Sequence, residues 1–160
     1  MRKRKLAGIG VLLGVTALLF GGCNEKEAPQ KLRVGVTYYD QNDTYLNELI
    51  GLFKESLKEI ESDKLEVSVA IRDAAGVQKN QNDQVEELID EGCNILCVNL
   101  VDRADPSEII DLARESEVPI IFFNREPVAE DLRQWEKLYY VGADAKQSGK
   151  CGDDRGKSPN

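Results

Sequence analysis

From residue 32 onward the chain alternates short apolar runs with segments whose apolar residues recur every three or four positions. Residues 32–38 form a β-rich run and the first predicted strand. Leu46, Leu49, Ile50, Phe53, Leu57 and Ile60 then share one helical face and predict a helix of about 17 residues. Leu65, Val67, Val69 and Ile71 alternate with Glu66, Ser68 and Ala70, which predicts a strand near a sheet edge with one partly polar face. Val85, Leu88 and Ile89 mark one side of a helix that opens near Val77 and stops at Gly92. Residues 94–100 are a continuous apolar run, hence a buried strand. Asp105-Pro106-Ser107-Glu108 reads as a helix start, with Asp105 as cap, Pro106 in the first helical position and Glu108 as capping-box partner. Ile109, Ile110, Leu112 and Ala113 supply its buried face. Residues 118–123 predict another buried strand, 128–136 a weak helix and 138–141 a short last strand.

The order βαβαβαβ(α)β at this spacing implies an α/β fold, a doubly wound parallel sheet with helices on both faces. Right-handed crossovers favour the strand order 2-1-3-4-5. In such sheets ligands bind beyond the carboxyl ends of the strands. Those ends carry Tyr39-Asp40-Gln41-Asn42-Asp43, Asp73, Asn99 with Asp102, Asn124-Arg125-Glu126 and Gly142-Ala143-Asp144, dense in carboxylates and amides and poor in glycine.

The N-terminus departs from this alternation. Arg2, Lys3, Arg4 and Lys5 precede an apolar stretch from residue 6 to 20, and Gly21-Gly22-Cys23 follows. A basic start, an apolar centre and a small-residue exit are the parts of a secretory signal. The stretch 6–22 is 17 residues with five glycines, short for a stable membrane-spanning helix. Phe20-Gly21-Gly22-Cys23 resembles the bacterial lipobox, with phenylalanine where leucine is usual. Residues 1–22 are thus expected to be a lipoprotein signal peptide, Cys23 the lipidated residue, and 23–31 a polar tether to the membrane. The body is placed outside the cytoplasmic membrane.

Charge and composition narrow the chemistry. Of 21 basic residues four lie in positions 2–5, so the rest of the 160-residue chain has 17 against 29 acidic ones, a net charge of −12. Such a body repels polyanions, which argues against a nucleic-acid partner. The sequence contains no histidine, so it holds no Ser-His or Cys-His nucleophile pair and no His-ligated metal site. Beyond Cys23 three cysteines remain, a poor disulfide framework. Cys93 and Cys97 lie among apolar residues and read as small core residues. No Gly-x-Gly-x-x-Gly follows the first strand, where carboxylates would oppose a pyrophosphate. The polar strand ends suit a neutral, hydroxyl-rich ligand instead. Asp43 and Asn124 can exchange hydrogen bonds with vicinal hydroxyls, and Tyr45 can lie on the apolar face of a sugar ring. The same residues also admit plain structural roles: Asp43 as the first helix's N-cap, Tyr45 as core and Asn124 as a turn residue.

Five blocks in order carry a resemblance. They are Arg33-Val34-Gly35-Val36-Thr37-Tyr38-Tyr39 with Asn42-Asp43, Gln81-Asn82-Asp83-Gln84, Val98-Asn99-Leu100-Val101-Asp102, Val118-Pro119-Ile120-Ile121-Phe122-Phe123-Asn124-Arg125-Glu126-Pro127, and Tyr139-Tyr140-Val141-Gly142-Ala143-Asp144 with Ser148-Gly149. Together they resemble the first lobe of the galactose/glucose-binding family, the periplasmic sugar-binding proteins of ABC transporters with the type I fold. The resemblance implies an incomplete N-terminal lobe over 32–149 and a foreign tail over 150–160. It implies D-galactose or D-glucose as ligand, an ABC permease and a chemoreceptor as partners, and no enzymatic activity. Asp43 and Asn124 match positions that hydrogen-bond the sugar, and Tyr45 matches the stacking aromatic, usually phenylalanine. Asn99 and Asp102 match positions shaping the cleft floor, and Arg125 and Glu126 serve its rim. The family's calcium site lies in its second lobe, which has no counterpart here, so no cofactor is expected. The absence of that lobe suggests a truncated or frame-shifted product. Another sugar such as ribose is a second reading. A sugar-sensing regulator of the lactose-repressor family is a third, but it would need a helix-turn-helix where the signal stands.

Overall fold

A computed structural model describes residues 28–142. The expected signal peptide 1–22, Cys23, the end of the lobe at 143–149 and the tail 150–160 with Cys151 lie outside the described residues. In chain order the elements are β1 (Gln30–Tyr38), α1 (Thr44–Glu59), β2 (Leu65–Asp73), α2 (Gln78–Asp90), β3 (Ile95–Val98), α3 (Ser107–Glu115), β4 (Ile120–Phe123), a 3₁₀ turn Asp131–Arg133, and β5 (Leu138–Val141). All strand pairs are parallel, and the sheet order is β2-β1-β3-β4-β5. The doubly wound order expected from handedness is therefore the one adopted, with β2 at an edge.

The period-2 alternation of the strands separates two cores. Leu96, Val98, Ile120, Phe122 and Leu138 pack with Val85 and Leu88 of α2 and Ile109, Ile110 and Ala113 of α3. Val34, Val36 and Cys97 face the other way and pack with Leu57 and Phe53 of α1. Cys93 and Cys97 are both buried free thiols, the small core residues expected. Gly35 lets α2 approach the sheet: a Cβ there would stand 2.9 Å from Leu96 Cδ2 and 3.1 Å from Leu88 Cβ. Gly92 ends α2 at φ +82°. The amides of Cys93 and Gly92 return to the carbonyls of Leu88 and Ile89, a closed helix terminus that favours glycine.

Three expectations need correction. β1 begins at Gln30, so Gln30 and Lys31, expected in the tether, pair with Leu65 and Glu66 instead. The start of α3 is not the expected capping box. Pro106 occupies the cap position without a side-chain cap bond, and Glu108 accepts a hydrogen bond from Asn82 Nδ2 at 2.6 Å. The carboxylate is drawn to α2 by a partner 26 residues away, which leaves nothing to reach back to the cap. Residues 128–136 form only the 3₁₀ turn, because Leu132 and Trp135 suffice to cover the end of the sheet without a full helix.

Candidate functional site

The turn after β1 is built by its own side chains. Asp40 Oδ1 accepts from the backbone and side-chain amides of Asn42, both at 2.8 Å, and Asp73 Oδ1 accepts from Gln41 N at 3.0 Å. This folding back puts Asp43 at the N-cap of α1, where Oδ1 accepts from Leu46 N at 3.1 Å. The capping role available to Asp43 is thus realised. Its other oxygen accepts from the Tyr39 hydroxyl. The Tyr39 bond, then the Leu46 amide, hold the Asp43 carboxyl below its ordinary range, and the same bond to Asp43 pushes the Tyr39 hydroxyl up.

Arg125 reaches this pair from the end of β4. Its guanidinium lies 4.0 Å from the centre of the Tyr39 ring, and Nη1 donates to the carbonyls of Leu100 at 2.9 Å and Val101 at 3.0 Å. Cation and ring attract through the ring's quadrupole. Glu126 is exposed, and it is its backbone carbonyl that accepts a bond, from Arg103 Nε at 2.7 Å.

Beneath the strand ends lies an amide-rich face of α2. Fully buried Gln81 donates to the Asn99 carbonyl and accepts from Val101 N, both at 2.9 Å. Gln84 accepts from Thr37 Oγ1 at 2.8 Å and donates to the Asp73 carbonyl at 2.7 Å. Asn99 is fully buried, donates to the Phe123 carbonyl at 3.0 Å, and leaves Oδ1 without a partner. Its bond holds the peptide leading into Asn124, which adopts φ +62°, a left-handed conformation asparagine tolerates. Asp102 is exposed and turns its own loop by accepting from Ala104 N at 2.8 Å.

Tyr45 and Asn124 both line one groove of about 500 Å³ between α1 and the sheet, together with Cys97, Ile121 and Phe123. Tyr45 is 61% exposed, so it is not core. Asp43 does not line that groove. It stands beside it and is tied to the Asn124 side of the site through Tyr39 and Arg125. Sequence reasoning missed those last two as a pair. The spacing of Tyr39 four residues before a capping aspartate was the visible signal, whereas the approach of Arg125 depends on the strand order. Among the described residues no cluster of acidic or thiol groups is arranged to hold a metal.

Comparison with known proteins agrees with this architecture. A model of the periplasmic binding protein domain matches residues 34–152. The D-galactose/methyl-galactoside binding periplasmic protein MglB of Haemophilus influenzae is 36% identical over 117 residues, covering 73% of this chain and 34% of that protein. This chain thus spans about a third of that curated relative's length. Among solved structures, a galactofuranose binding protein is similar with TM-score 0.64 at 19% identity, covering 78% of this chain and 40% of its own. A solute binding protein of an ABC transporter from Clostridium phytofermentans, solved with β-D-glucose, gives TM-score 0.63 at 18% identity over 77% and 35% of the two chains. At those identities the structures speak to the fold. On the extent of the domain match and the identity to its relative, the chain belongs to the periplasmic binding protein domain family, a family of binding proteins and not of enzymes.

Proposed function

We propose that this chain is the sugar-binding first lobe of an extracytoplasmic solute-binding protein that delivers D-galactose, D-glucose or a methyl-galactoside to an ABC permease. The observation that supports the reading is that an exposed ring, Tyr45, and an exposed amide, Asn124, line one groove past the ends of β1 and β4, with the ionised Asp43 two residues from Tyr45. Carboxylate and amide exchange hydrogen bonds with hydroxyls, and the ring covers the apolar face of a pyranose. Asn99 supports the turn that carries Asn124, Asp102 shapes the neighbouring loop, Arg125 secures the rim and Glu126 edges it. Identity to a galactose-binding relative supports the choice of sugar. In the same reading Cys23 carries a lipid that tethers the protein to the outer side of the membrane.

Titration of the isotopically labelled chain with D-galactose, D-glucose and D-ribose, followed by amide chemical shifts, tests the site. Galactose or glucose should move the signals of residues 43–46 and 124–125 first and most. Equal responses to all three sugars, or changes elsewhere only, would refute it. The anchor is tested separately: cells expressing the chain should incorporate labelled palmitate, and Cys23→Ala should abolish the label.

A further inference from the structure

Both oxygens of the Asp43 carboxylate are already engaged by the protein. Oδ1 accepts from Leu46 N at 3.1 Å, and Oδ2 accepts from the Tyr39 hydroxyl. An ionised carboxylate offers about four acceptor positions, two per oxygen. The Tyr45 amide also bears on the group, so only part of this capacity is left free, and bonds on two different oxygens fix its plane. Without the Tyr39 bond the carboxylate would be held only by amides of its own helix's first turn. The donor that prevents this is itself held. The Tyr39 ring lies under Arg125, whose guanidinium is pinned to two successive carbonyls after β3. Arg125 directly follows Asn124 in the chain. A continuous set of contacts therefore runs from the turn after β1, across β3, to the end of β4.

We propose that Tyr39 is a positioning residue of the sugar site, aiming the Asp43 carboxylate so that its remaining acceptor capacity faces ligand hydroxyls. This role rests on the sugar reading given above. Tyr39 touches the ligand only through Asp43, and Arg125 acts through Tyr39. The consequence for specificity is that Asp43 is an acceptor only, in a fixed plane. It rewards a ligand that brings a hydroxyl donor and gives nothing to a ligand whose matching groups can only accept. The groups facing Asp43 are Tyr39, just after β1, and Arg125, just after β4, with Asp40 of the same turn facing the Tyr39 hydroxyl. Tyr39 and Arg125 favour the ionised carboxylate, while Asp40 opposes ionisation of the hydroxyl that serves it.

The test uses the 160-residue chain and reads two things. The side-chain carboxyl carbon of Asp43 is titrated with acid in the wild type, in Tyr39→Phe and in Arg125→Met. Tyr39→Phe keeps the ring under Arg125 and removes only the hydroxyl. It should move the midpoint of Asp43 to higher pH, and Arg125→Met should move it the same way by less. Galactose affinity, read from amide shifts at neutral pH, should weaken about five- to tenfold in Tyr39→Phe, the worth of about one ordinary net hydrogen bond. An Asp43 midpoint that is the same in Tyr39→Phe and wild type would overturn the proposal, whatever the sugar data show. A shifted midpoint with undiminished galactose affinity would overturn the positioning role while leaving the sugar reading intact. Failure of galactose to perturb the wild type would refute the sugar reading itself, and the role of Tyr39 in it. Should Tyr39→Phe fail to fold, Arg125→Met supplies the same comparison from the other end of the contact chain, and an unmoved Asp43 midpoint there overturns the proposal.

Discussion

Gln81 shows how much one buried amide holds. It has no exposure and satisfies two backbone groups, the Asn99 carbonyl and the Val101 amide. Gln81→Leu keeps the volume and abandons both, so unfolding free energy should fall by about 1–3 kcal/mol for each group left unpaired. Urea denaturation measures it, and an unchanged midpoint would mean that water replaces the amide. Cys97 makes a second residue-scale prediction. Burial pushes its thiol from 9.0 up to about 11. The sign follows from the neutral form being the one the fold accepts. The contribution is complete below pH 9 and is lost as pH rises towards 11. Cys97→Val should flatten the alkaline decline of the unfolding midpoint over that window. Iodoacetamide at pH 8 should leave Cys97 unlabelled in the native chain and label it in guanidinium. At this scale the sequence disclosed Asp43, because a carboxylate before a helical apolar pattern has a capping role to play. It did not disclose the partners of Asp43, since the ring of Tyr39 and the guanidinium of Arg125 meet only after the sheet has formed.

Among the elements, α3 carries an imperfection that a substitution can expose. Its end closes like that of α2, with Val118 N on the Ala113 carbonyl at 2.9 Å and Glu117 N on the Arg114 carbonyl at 3.2 Å. The residue forced into the left-handed region is Glu117, at φ +59°. A residue with a Cβ costs about 1–2 kcal/mol there, part of which glycine returns as unfolded-chain entropy. The Glu117–Lys137 ion pair, at 2.5 Å, joins a half-buried ammonium to an exposed carboxylate and contributes little. Glu117→Gly should therefore stabilise the chain by about 0.5–1 kcal/mol in urea denaturation. A loss of stability would show that the ion pair outweighs the backbone strain. The elements themselves were legible where periodicity is strong. α1, α2 and the last strand lie where apolar spacing puts them, and β2 sits at the edge its polar face suggested. The start of α3 was misread because a local motif competed with a tertiary partner, Asn82, that no window of sequence contains. The 128–136 segment was misread because Leu132 and Trp135 bury without the turns between them becoming helical.

For the whole molecule, exposure sets the expected affinity. Tyr45 and Asn124 are open to water, so each bond to a sugar is exchanged against one to solvent and nets ~0.5–1.5 kcal/mol. Association costs about 4 kcal/mol or more before any gain appears. The 160-residue chain should therefore bind galactose with a dissociation constant in the millimolar range or weaker. Calorimetric titration, after circular dichroism has established folding, reads this directly. Micromolar binding would refute it. The topology of the molecule was readable because right-handed crossovers leave few ways to wind five parallel strands. The groove beside α1 was not, because it arises from which face each crossover covers.

The place of β3 between β1 and β4 has a metric consequence. Neighbouring strands lie about 4.8 Å apart, so β1 and β4, whose ends lead towards Asp43 and Asn124, are separated by about 10 Å. That interval is a ruler graduated in whole strands: no loop adjustment can shorten it by half a division without breaking the ladder. A molecule gripped from both sides must fit what remains after the two side chains have taken their share. In the proposed site, ligands of different breadth would be met by lengthening or shortening the side chains at positions 43 and 124, one methylene at a time, while the sheet keeps the gauge.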